Sequence, residues 1–235
     1  MAEVEVGLGK SGRRAYGFDD IAIVPSRRTR DPEDVDIKWE IDAFSLELPL
    51  MASAMDGVVS PQTAIEIGRL GGVGVLNLEG LWTRYEDPMN MLKEISQLDA
   101  EHATRRMQEI YLEPVKLELI TERIQEINAA GVISCASVTP QRTELFSSHL
   151  LESELDLLVI QGTVVTAEHV SKTKETLNLK TFVRDFPIPT IVGGCASYEA
   201  ALHLMRTGAA GVLVGVGPGH ACTCLLYTSP SPRDS

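Results

Sequence analysis

The sequence predicts an α/β fold: an incomplete (β/α)8 TIM barrel with about six of its eight units present. Three observations predict it. Short apolar runs alternate along the chain with stretches of helical character. Those runs are apolar on both alternating faces, as strands of a parallel sheet covered on both sides must be. Most residues with chemical potential fall at or just after the C-terminal ends of the runs: Ser53, Met55, Asp56, Asn77, Cys135, Gln161, Cys195 and Cys222. In a barrel those ends form one active rim fed by every strand. An open doubly wound sheet shares the alternation but brings only the residues near its switch point together.

The elements follow in order. Pro49 to Ala54 is the first strand; Ser60-Pro61 then supplies an N-cap and a first-turn proline for a helix through Leu70. Val73 to Leu76 is the second strand, opened by Gly71-Gly72. The polar region from about Tyr85 to Asn128 reads as helices, with Ile120, Ile124 and Ile127 at helical spacing and Ala130-Gly131 ending the last of them. Val132 to Val138 is the third strand, followed by a helical stretch from Pro140 to about Leu151. Asp156 to Gln161 is the fourth, and Thr166 begins another helix. Thr190 to Val192 is the fifth, closed by Gly193-Gly194, with Ser197 capping a helix to about Arg206. Gly211 to Val214 is the sixth, and a Gly-rich loop follows at once.

Charge and composition exclude some functions. Lys+Arg 21 against Asp+Glu 33 leaves a net charge of -12 over 235 residues, a field that repels phosphate backbones and anionic membrane surfaces. No apolar stretch approaches the ~18 residues of a membrane span, and Met1 to Glu5 lacks the basic and apolar parts of a secretory signal. The four cysteines, Cys135, Cys195, Cys222 and Cys224, are therefore expected as reduced thiols in a cytoplasmic protein rather than as a disulfide framework.

Gly215-Val-Gly-Pro-Gly-His-Ala-Cys222 carries the main chemical signal. Three glycines within five residues allow the backbone to approach a ligand or ion closely, and the thiol beyond them could be a nucleophile favoured by backbone donors. A plain strand-to-helix turn with a buried cysteine fits the same spacing. Cys135 and Cys195, in or beside apolar strands, read as packing residues. His102, His149, His169 and His203 lack metal-ligand spacing, and no zinc pattern, Walker loop or Gly-x-Ser-x-Gly elbow is found. Gly7-Leu-Gly9-Lys10 is only a weak phosphate signal.

The loop resembles the cysteine loop of the inosine 5′-monophosphate dehydrogenase and GMP reductase family. Tyr16-Gly-Phe-Asp-Asp20 with Val24-Pro25, Pro49-Leu-Met-Ala-Ser-Ala-Met-Asp56 and Gly71-Gly-Val-Gly-Val75 resemble further family segments, so the likeness runs from about Gly7 to Thr223. Tyr16 to Arg30 and Asn77 to Pro88 are most similar to the dehydrogenase-related branch without the regulatory CBS pair, for which the stretch Tyr85 to Asn128 is too short. The resemblance implies NAD-dependent oxidation of IMP to XMP in guanine nucleotide synthesis, with Cys222 as the covalent nucleophile. It implies substrate contacts at Ser53, Met55, Cys195 and His220, and cofactor contacts at Gln161, Gly162 and Gly215. The carbonyls of Gly217, Gly219 and Cys222 would serve a monovalent cation, usually K+, in keeping with the hardness of oxygen ligands. A homotetramer is carried over in the same way; no nucleic-acid or membrane partner is expected.

Three positions depart from the family pattern. His220 stands where a serine commonly holds the IMP phosphate, Gln161-Gly-Thr163 where an Asp-Ser-Ser run lies near the nicotinamide, and Cys195 in place of an asparagine. These leave two alternatives open: GMP reductase, and a catalytically weakened purine-nucleotide-binding regulator. From Cys224 the chain reads Cys-Leu-Leu-Tyr-Thr-Ser-Pro-Ser-Pro-Arg-Asp-Ser, which resembles a translated sequencing adapter. The expected organisation is thus a partial catalytic barrel over 1–223 and a non-native tail over 224–235. Without the family's last two units and its water-activating flap, this fragment is expected to be inactive, with two open sheet edges.

Overall fold

The computed structural model describes residues 3–5, 8–13, 21–24, 27–28, 30–162, 165, 177–215 and 217. It divides the chain into two units, Met1–Asp36 and Ile37–Ser235. In the first, β1 (Glu3–Glu5) pairs antiparallel with β2 (Ser11–Arg13), and a 3-10 turn spans Pro32–Asp34. Gly9, at φ +75, lies in the turn leading into β2. Leu8, Gly9 and Lys10 of the weak phosphate signal lie between the two strands of this hairpin, and Gly7 lies outside the described residues.

The second unit holds a six-stranded parallel sheet in the order β10-β9-β8-β7-β6-β5. Its strands are β5 (Met51–Ala52), β6 (Val73–Asn77), β7 (Cys135–Val138), β8 (Leu157–Gln161), β9 (Thr190–Cys195) and β10 (Gly211–Val214). Chain order and spatial order run together, and helices return the chain between most strands: the curled half-barrel that six barrel units make. Both faces of the sheet are buried, as the unbroken apolar runs require. Leu76, Ala136, Val138, Leu158, Ile160 and Val192 pack on the helix side. Val73, Val75, Cys135, Leu157, Val159 and Ile191 pack on the inner side.

Between β5 and β6 runs α1 (Pro61–Arg69). Its start follows from two residues: the Ser60 side chain accepts from the Thr63 amide at 3.0 Å, and Pro61, at N1, surrenders no helical hydrogen bond. Ser60→Ala is expected to cost about 1 kcal/mol, read from the denaturant midpoint of unfolding. Gly74 lets this helix lie against the sheet, because a Cβ there would stand 2.6 Å from Ala64 Cα. After β6 come α2 (Met89–Ser96), α3 (Ala100–Ile110) and α4 (Leu117–Ala129). Ile120, Ile124 and Ile127 are buried on α4, and Gly131, at φ +72, follows its C-cap. The later helices are α5 (Thr143–Glu152), α6 (Leu179–Asp185) and α7 (Tyr198–Met205), the last capped by Ser197 accepting from the Ala200 amide at 3.1 Å.

Four details differ from the sequence reading. β9 does not close at Gly193-Gly194 but continues to Cys195, because the glycines keep pairing with β8 and β10. The third strand begins at Cys135 rather than Val132. Cys135 is therefore at the N-terminal end of its strand, away from the rim, buried on the inner face, where burial first and the Asp156 charge second push its thiol far up. An antiparallel hairpin, β3 (Trp39–Ile41) and β4 (Phe44–Leu46), was not anticipated; Ile41 and Leu46 join the inner-face core. The helix expected from Thr166 falls largely outside the described residues.

Candidate active site

The C-terminal strand ends lie along one rim in the order of the sheet. Beyond β5 come Ser53 and Met55, both exposed, and half-buried Asp56; β6 ends on Asn77, β8 on exposed Gln161 and β9 on Cys195, while Gly215 follows β10. At the β8–β10 end these residues are joined by their backbones. The Gly162 N–H donates to the Gly193 carbonyl at 2.9 Å, the Gly194 N–H donates to the Gly162 carbonyl at 3.1 Å, and the Gly215 N–H donates to the Cys195 carbonyl at 2.7 Å. The glycine pair in β9 allows this closeness, since a Cβ on Gly193 would stand 2.5 Å from Leu213 Cβ.

Cys195 contributes its carbonyl to this rim, while its thiol is buried in the helix-side core and lies 3.4 Å from the Leu213 carbonyl. The packing role expected of Cys135 and Cys195 agrees with their burial. Gly215 and Gly217 both have φ +104, a conformation open to glycine and strained for side chains. Gly219, His220 and Cys222 lie outside the described residues. Among the described residues no group of three or more His, Cys, Asp or Glu could hold a metal ion, and no helix is long and apolar enough to cross a membrane.

The first strands carry a polar network that the sequence only partly announced. Asp56, one residue beyond Met55, accepts the Leu81 N–H at 2.9 Å and the Tyr111 hydroxyl. The Arg84 guanidinium lies over the Tyr111 ring, 5.5 Å from its centre, and donates to the carbonyls of Glu79, at 3.0 Å, and Glu113. The Glu79 carboxylate accepts the Thr139 N–H at 2.7 Å, linking the β6 loop to the end of β7. A side chain on Gly80 would overlap the Asp56 carboxylate. Burial, then the hydrogen bond to Asp56 and its charge, push the Tyr111 hydroxyl far up, so it remains a proton donor at any ordinary pH. Asp56 and Asn77 were legible as rim residues; Glu79, Arg84 and Tyr111 were not, and the glycine at position 80 is the local signal that another group lies close.

A parallel α/β half-barrel whose chemistry-bearing residues line the C-terminal rim is of the class of barrel enzymes that work at that face. The pattern of the IMP dehydrogenase / GMP reductase domain matches residues 15–229, and the chain belongs to that family. A protein of Mycobacterium tuberculosis named as an uncharacterized oxidoreductase is 45% identical over 225 residues, covering 94% of this chain and 60% of that protein. The inosine-5′-monophosphate dehydrogenase of Borreliella burgdorferi is 26% identical over 236 residues, covering 91% of this chain and 56% of its own length. The crystal structure of an IMP dehydrogenase/GMP reductase-like protein from Corynebacterium glutamicum superposes with a TM-score of 0.88 at 40% identity, over 99% of this chain and 62% of that one. The chain thus spans about three fifths of the relatives it matches.

Proposed function

We propose that this chain is the larger part of the catalytic barrel of an NAD-dependent oxidoreductase that converts IMP to XMP for guanine nucleotide synthesis. The observation that carries the reading is the glycine-lined rim at the ends of β8, β9 and β10, where Gly162, Cys195 and Gly215 are held together immediately before the loop bearing Cys222. Ser53 and Met55 at the end of β5, with Cys195 and His220, would contact the nucleotide. Gln161, Gly162 and Gly215 would face the nicotinamide cofactor. The carbonyls of Gly217, Gly219 and Cys222 would hold K+, keeping the loop in the conformation that presents the thiol.

In this mechanism the Cys222 thiolate adds to C2 of the hypoxanthine ring. NAD supplies a hydride acceptor, so the two electrons of the C2–H bond leave with the hydrogen. The purine stays bound to Cys222 through C2–S, and water then displaces the sulfur, releasing XMP and the thiol. The covalent step makes one difficult displacement into two easier ones. Activation of that water needs a general base within hydrogen-bond reach, which the family keeps in a C-terminal flap. The 235-residue chain by itself is accordingly proposed to be inactive, its residues 224–235 to be a non-native tail, and the full-length protein to be a cytoplasmic homotetramer.

The test is the full-length protein incubated with IMP and NAD, followed by absorbance of the reduced cofactor. NADH formation dependent on IMP and stimulated by K+ is expected. Oxidation of NADPH in the presence of GMP, with none of that activity, would assign the reductase reaction instead. Binding of IMP without turnover of either pair would leave the purine-nucleotide-binding regulator.

A further inference from the structure

We propose that Tyr111 is a positioning residue for the nucleotide loop, acting through Asp56 on Met55. The inference rests on the reading of Ser53 and Met55 as nucleotide contacts.

The loop after β5 is tightly tied along its main chain. The Met55 N–H donates to the Ser53 carbonyl at 2.8 Å, and the Met55 carbonyl accepts the N–H groups of Val58 and Val59, each at 2.9 Å. Its side chain is left 58% exposed, free to meet a ligand. What anchors this loop to the rest of the barrel is the next residue, through the two bonds that Asp56 accepts from Leu81 and Tyr111. One donor comes from the β6 loop and the other from the C-cap of α3. A single carboxylate therefore joins three segments distant in sequence.

Tyr111 reaches this position because the β6 unit carries α2 and α3 in addition to α4. Arg84 holds the ring from one side, and its bonds to the Glu79 and Glu113 carbonyls tie the β6 loop to the segment just after α3. Without the Tyr111 hydroxyl, Asp56 keeps the Leu81 amide alone. The loop then samples more conformations, and a nucleotide must order it on binding, which weakens affinity without touching the reacting atoms. Nearby stands a built-in control. The Tyr85 hydroxyl also ties down the end of α3, donating to the Ile110 carbonyl at 2.9 Å, but it does not touch Asp56.

The experiment compares Tyr111→Phe with Tyr85→Phe in the full-length protein. Both are expected to lower the melting temperature by similar amounts. Only Tyr111→Phe should raise the Kd of IMP in calorimetry and the KM for IMP, by roughly 10-fold, as loss of a hydrogen bond to a charged group allows, with kcat within about 2-fold. Hydrogen exchange across residues 53–59 should accelerate in Tyr111→Phe and not in Tyr85→Phe. Equal IMP affinities in the two variants, or unchanged exchange across 53–59, would overturn the proposal. If the unsubstituted protein binds no IMP, the nucleotide assignment falls separately. The exchange measurement then decides alone whether Tyr111 orders the loop.

Discussion

Replacing Cys222 with serine in the full-length protein is expected to reduce IMP-dependent NADH formation by at least ~10³-fold, the scale on which removal of a covalent nucleophile acts. The chemistry asks for an anion that can add to an aromatic carbon and later leave it. A free thiol, with its pKa near ~8.5, is a few per cent thiolate at neutral pH. A serine hydroxyl is not ionised there and is a poor leaving group once bound to C2. Because the substitution changes one atom, IMP affinity should change by less than about 3-fold, since only an interaction made in the transition state is removed. The measurement is therefore a pair, initial rates and equilibrium binding. Loss of both together would mean that the loop had lost its shape; retention of turnover would remove Cys222 from the mechanism.

The second large effect is on stability. Phe146, 1% exposed on α5, is among the largest fully buried side chains of the described residues and lies in the core between the sheet and its helices. Phe146→Ala is expected to destabilise by about 3–5 kcal/mol, because the lost transfer free energy adds to the cost of a cavity that close-packed neighbours cannot fill. That is a large share of the ~5–15 kcal/mol that holds a typical domain together. The urea midpoint should fall markedly, while Phe146→Leu, which leaves a smaller void, should fall by much less. A midpoint unchanged in Phe146→Ala would mean that the helix-side core is not formed around this residue.

The open edges of the sheet bear on both measurements. Among the described residues β5 and β10 each have one sheet neighbour, and such edges offer unpaired backbone groups to other chains.

Much of the fold was legible in local patterns. Ser60-Pro61 announced α1, the isoleucines at 120, 124 and 127 announced the buried face of α4, and Ser197 announced α7, because caps and periodicity act within a few residues. Strand ends were less secure. Gly193-Gly194 read as a stop, yet both residues stay in β9, where the lack of side chains serves close packing against Leu213 rather than a turn. Cys135 read as a rim residue, yet it opens β7 at the opposite end; register is decided by the partner strands, here Val75 and Leu157. The β3–β4 hairpin is not legible in the sequence because its three-residue strands are too short for alternation to stand out, and the burial of Ile41 and Leu46 comes from the separate parallel sheet whose inner-face core they enter.

The candidate site divides in the same way. Sequence by itself determined the family and the alternation that makes a half-barrel, since each is written in short contiguous motifs whose backbone demands are local. Only the tertiary structure decided which motifs meet: that Gly162 is hydrogen-bonded to Gly193 and Gly194 while Gly215 bonds Cys195 on the same strand, and that Asp56 is held by Leu81 and Tyr111 from 25 and 55 residues away. The physical reason is range. Capping, turn and strand preferences are set by a residue and its neighbours along the chain, whereas a buried carboxylate takes whatever donors the packing of the whole barrel brings within 3 Å of it.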